Sequence, residues 1–168
     1  MKSGPKKVLL IIVPVLALFI VYYYDSHYER IPLTENLRFG MRPIEVRMKY
    51  GKPQSKEASD LSPSFAYLYM DESNEYKKII TISFIKVRQH YELYELNISC
   101  IDVPEEGKAQ LYKSIVEECR NEYWSKDGYY ETSDEGKTSL GLRQGAVSLD
   151  CDIETGTTDV RIHFSKLY

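Results

Sequence analysis

The familiar signatures of catalysis are missing from this 168-residue chain. It has no G-x-S-x-G elbow, no G-x-x-x-x-G-K-[ST] phosphate loop and no G-x-G-x-x-G turn. Nucleophile-elbow hydrolysis and motif-borne nucleotide binding therefore have no sequence support. Histidine is sparse, and His27, His90 and His163 lie too far apart for metal-ligand spacing. The three cysteines, Cys100, Cys119 and Cys151, form no C-x-x-C pair, so zinc and thioredoxin chemistry are not indicated. All three fall on expected apolar faces. That fits burial as small hydrophobes, and it also permits one bridge plus one free thiol in an oxidising compartment.

Basic charge is scarce where a nucleic-acid surface would need it. From Asp25 onward 19 basic residues stand against 25 acidic ones, a balance of −6. Asp150, Asp152 and Glu154 alternate along one strand face and resemble a calcium ladder. Counted from Asp150, however, positions six and twelve hold Thr155 and Arg161 where a calcium loop needs Gly and Glu. The expectation is a solvated face paired with Arg161. We assign no catalytic, cofactor-binding or metal residue from the sequence, no cofactor and no nucleic-acid partner.

One long apolar run is present. Val8 to Tyr24 carries no charge over seventeen residues, a helix of roughly 25 Å that reaches across a bilayer's hydrocarbon core at the short end. Tyr22, Tyr23 and Tyr24 suit the headgroup boundary, and lysines precede the run while Asp25 and Glu29 follow it. The positive-inside rule then keeps the N-terminus in the cytoplasm. The expected organisation is a cytoplasmic N-terminus (1–7), an uncleaved signal-anchor helix (8–24), a stalk (25–36) and an extracytoplasmic domain (37–168). The competing reading, a cleaved signal peptide, wants small residues where Phe19, Ile20 and Val21 stand.

Within the domain, Pro43 at a first helical position and Gly51 at a C-cap bound a helix over 43–50. Residues 54–64 read as a loop. Period-two alternation predicts strands over 65–70, 78–87 and 93–103. Asp102 with Glu105 resembles a capping box. It opens a helix over 104–124 whose core stripe is Tyr112, Ile115, Val116, Cys119 and Tyr123. Strands follow over 138–143 (broken by Gly141), 146–153 and 159–164. A four-residue loop, 155–158, sets Ile153 opposite Val160 and Cys151 opposite Ile162. The predicted fold is α+β: an antiparallel sheet of about six strands, tandem α-β-β-β, with two helices on one face and one transmembrane helix in front.

The segment Gly40-Met41-x3-Glu45-Val46-x4-Gly51-x-Pro53 resembles the opening helix of SmpA/OmlA-type envelope domains, and the tandem order is similar to the β-lactamase inhibitor protein fold. Arg42 replaces the small polar cap of that pattern, and no lipidated cysteine follows the apolar run. The resemblance implies an envelope domain of binding type and carries over no partner or functional residue.

Tyrosine is abundant, with fifteen against five phenylalanines and one tryptophan. Tyr67, Tyr69, Tyr91, Tyr94, Tyr129 and Tyr130 are candidates for an amphipathic binding patch, although tyrosine also simply favours strands. The leading expectation is an anchored module that binds a protein or peptide. The alternatives are an inhibitor or sensor of an envelope enzyme, and an enzyme with a dispersed site.

Overall fold

The computed structural model describes residues 30–34, 36–58, 63–72, 76–144, 147–156 and 159–167. The expected anchor lies outside these residues, among which no helix is long and apolar enough to cross a membrane.

The described residues form two helices and eight strands. Helix α1 spans Pro43–Tyr50 and is followed by β1 (Ser55–Ala58), β2 (Ser64–Asp71), β3 (Lys77–Val87) and β4 (His90–Ile101). Helix α2 spans Glu105–Tyr123 and is followed by β5 (Tyr129–Asp134), β6 (Lys137–Gln144), β7 (Val147–Thr155) and β8 (Asp159–Leu167). All eight strands join one antiparallel sheet in the order β1-β2-β3-β4-β8-β7-β6-β5.

This corrects the six-stranded, tandem α-β-β-β expectation: among the described residues strand accounts for 54% and helix for 22%, and each half is a helix followed by four strands. The two missed strands, β1 and β5, are the sheet's edges. Their sequences, SKEA and YYETSD, lack alternating apolar residues because edge strands gain from charge and shortness, which discourage pairing with other chains. Read outward from the β4–β8 junction, the two halves run in the same order.

One face of the sheet is dry. A row of buried side chains crosses six strands as Tyr67, Ile82, Leu96, Phe164, Cys151 and Leu140. Val46 of α1 and Ile115, Val116, Cys119 and Tyr123 of α2 join these residues in a single core.

The opening of α1 is held by Glu45 Oε2, which accepts the Arg42 N–H at 2.6 Å. Gly51, at φ 77°, closes the helix by donating to the Arg47 carbonyl. Just upstream, Gly40 N–H donates to Leu93 O and Leu93 N–H to Met41 O, both at 2.8 Å. These bonds take over the β4 ladder where pairing with β8 stops at Glu95. Tyr94 is the extra residue of a bulge there, since Glu95 opposes Ser83 while Leu93 opposes Phe84.

Other local expectations are corrected as well. Asp102 does not cap α2: it is left-handed at φ 59°, and Pro104 occupies the N-cap. Gly141 does not break β6. It lets β6 approach β7, for a Cβ there would lie 1.9 Å from Leu149 O. The β7–β8 register sits two residues from expectation, with Ile153 opposite Ile162 and Cys151 opposite Phe164. A shift of two preserves the faces. Pairing persists to Thr155 because Gly156 allows the tight reversal, donating to Asp159 O at 2.8 Å. Within the expected stalk, Ile31, Pro32 and Thr34 are buried, so the folded body begins before residue 37.

Candidate functional site

A cavity of about 360 Å³ lies between α2 and the sheet. One wall is the outward turn of α2 that carries Leu111, Ser114, Ile115 and Glu118, and the floor is Ile98, Cys100 and Ile162. Leu33 and Thr34 close one side, with Lys78 and Tyr76 on another. The Thr34 hydroxyl fixes the 31–34 turn by donating to Ile31 O at 2.7 Å and accepting Leu37 N–H at 3.2 Å. Leu33 N–H in turn donates to Glu118 Oε1 at 3.0 Å, tying the turn to the helix.

The cavity is amphipathic. Its floor is aliphatic, hydroxyls come from Thr34, Tyr76 and Ser114, and Lys78 and Glu118 supply one charge of each sign. Burial pushes the Cys100 thiol up and outweighs the opposing pull of Lys78 across the strand pair, whereas a nucleophilic thiol needs its pKa lowered. Burial likewise raises the Tyr76 phenol. Size and lining match those of small-molecule or side-chain pockets.

The candidate tyrosines divide into separate places. Tyr67 and Tyr69 are buried on the dry face of β2, and Tyr91 joins them through Phe65, whose ring centroid lies 4.9 Å from that of Tyr91 and 5.3 Å from that of Tyr67. Tyr94 lies with Ala66 and Ser83 beside a groove on the opposite face. Tyr129 and Tyr130 are on β5, six strand spacings from β2, or roughly 29 Å. The six do not form one patch.

The two β5 tyrosines point to opposite faces. Tyr130 donates to Asp150 on the open face, with the Arg143 guanidinium 4.5 Å from its ring centroid. Burial and the Asp150 bond raise the Tyr130 pKa strongly. Tyr129 donates to Glu131, and burial together with that bond raises its phenol to about 12. Arg120 of α2 grips Glu131 with two of its nitrogens, Nε donating at 2.9 Å and Nη2 at 2.6 Å. That fork holds the Glu131 carboxyl down at about 2.

The acidic face of β7 is occupied by the protein's own donors. Asp150 accepts from Tyr130 and Ser148, Asp152 from Ser139, and Glu154 from Lys137. Arg161 stands opposite Glu154 but bonds Asp159 at 2.6 Å. Among the described residues no three His, Cys, Asp or Glu side chains converge on a metal-sized site.

The cavity could not be read from the sequence because its lining comes from both sides of the fold. A second cleft, about 340 Å³, places Arg47, Lys52 and Lys56 around Tyr67. The chain matches no protein-family model, and neither a curated protein nor a solved structure matches it.

Proposed function

We propose that the chain is a membrane-anchored, extracytoplasmic binding module that seats an apolar side chain of a protein or peptide partner in the cavity beneath α2. The observation that carries this is the cavity itself, an aliphatic floor between a lysine and a glutamate. Such a pocket accepts an apolar side chain while its polar rim meets the adjoining peptide backbone. The uncharged run from Val8 to Tyr24, with lysines before it, supports the anchor and the orientation. The Gly40–Pro53 likeness to SmpA/OmlA-type domains supports an envelope role of binding type.

Peptide display against the full chain in lipid nanodiscs tests the reading. Selected peptides should share an apolar residue. Ser114→Trp, at an exposed position on the cavity wall, should weaken them at least about tenfold, the loss of one buried anchor. Ser83→Trp, beside the groove on the opposite face, should leave them unchanged. The reverse pattern would move the interaction to the open face of the sheet and refute the cavity.

A further inference from the structure

Cys119 of α2 and Cys151 of β7 face each other inside the core. Their Sγ atoms are 3.7 Å apart, and the two residues are 32 positions apart in sequence. Cys119 is fully buried and Cys151 is 1% exposed. Cys100, the remaining thiol, lies across from Val160 on β4, two strands from β7 and four residues along from the row that holds Cys151. That offset is roughly 16 Å between backbones, beyond the span of about 7 Å that a bridge tolerates. The observed sulfur–sulfur approach therefore points to Cys119 and Cys151, and Cys100 is out of reach of Cys151.

We propose that Cys119 and Cys151 form a disulfide that fastens α2 to the sheet, leaving Cys100 as a free thiol. Side-chain rotation has to bring the sulfurs from 3.7 Å to about 2.05 Å. The oxidant is a disulfide-bearing partner, such as a dithiol oxidoreductase or oxidised glutathione. One cysteine thiolate attacks that disulfide, forms a mixed disulfide and releases one partner thiol. The other cysteine thiolate then attacks the mixed disulfide, the Cys119–Cys151 bond forms, and the second partner thiol leaves. Two electrons and two protons pass to the partner, and the chain loses two hydrogens.

Exchange takes place while the chain folds, because both sulfurs are sealed once packing is complete. Burial pushes the Cys151 thiol well up, so the folded pair is slow to react and the finished bridge is shielded. The bridge lies one helical turn from Ile115 and beside Glu118, both on the cavity wall, so it fixes the helix that forms that wall. This inference concerns the core and does not depend on the binding reading.

The test refolds the reduced, denatured full chain in detergent with mixed reduced and oxidised glutathione, followed by alkylation and peptide mapping without reductant. The expected map links Cys119 to Cys151 and shows alkylated Cys100. The Cys100→Ser variant should retain the link, which keeps the test decisive if Cys119→Ser or Cys151→Ser fails to fold. Three alkylated cysteines, or any link through Cys100, would overturn the proposal. The same map on protein extracted from its own cells reports separately on export: a bridge formed on refolding but absent there would count against the extracytoplasmic assignment.

Discussion

The two halves solve the same packing problem differently. Each joins one helix to four consecutive strands of a shared sheet. In the second half, the 19-residue α2 buries four side chains against aliphatic strands and is bound to the edge by the Arg120–Glu131 fork. In the first, the eight-residue α1 contributes one fully buried side chain, Val46. Aromatic rings fill the deficit. Tyr50 meets Tyr69, Tyr69 meets Tyr67, and Tyr67 and Phe65 both meet Phe84 at centroid distances of 5.0–6.5 Å. A short helix is thus compensated by side chains that cover one another, whereas the cavity beside the long helix has an aliphatic floor and the cleft beside the short one is ringed by Arg47, Lys52 and Lys56.

The contrast predicts unequal costs of removing the cover. Tyr123→Ala, which truncates a side chain that is 1% exposed, should destabilise by about 3–5 kcal/mol. Val46→Ala should cost about 2 kcal/mol. Chemical denaturation of both variants checks the difference, and equal losses would break the contrast between the helices.

Ring packing makes a subtler difference. Phe84 and Phe164 are both fully buried, but only Phe84 has ring partners among the described residues. Phe84→Leu should therefore cost about 1 kcal/mol more than Phe164→Leu, the excess due to aromatic contact. Identical midpoints for the two would show that the rings act merely as volume.

A similarly small effect is expected at the edge clamp. Glu131 sits at about 2 in the fold against its ordinary 4.5, so it adds stability that is complete above about pH 4.5 and is lost as pH falls toward 2. Glu131→Gln should cost about 1 kcal/mol at neutral pH, as for a partly exposed bidentate pair. The gap to the native chain should close as acid is added; a gap constant with pH would assign the clamp no electrostatic role.

Strong periodicity made the larger elements legible. Ile80, Ile82 and Phe84 alternate into the core, and the α2 stripe from Ile115 to Tyr123 lies against the sheet. The edge strands were illegible because their polarity serves to discourage pairing. The β7–β8 register departs from the expected Ile153–Val160 pairing because the tight reversal at Gly156 carries the ladder on to Thr155 and sets Ile153 opposite Ile162. Composition marked tyrosine but not its placement, which strand order sets. The Cys119–Cys151 approach depends on how α2 crosses β7, a tertiary relation no local pattern carries.

Hydrogen exchange, read by mass spectrometry on the full chain with and without a display-selected peptide, tests the central claim most directly. Binding beneath α2 predicts slowed exchange concentrated in residues 31–34 and 111–118, the segments on the cavity wall. Slowing confined to 64–66 and 83–94, with α2 unchanged, would place the partner on the other side of the sheet and contradict the account.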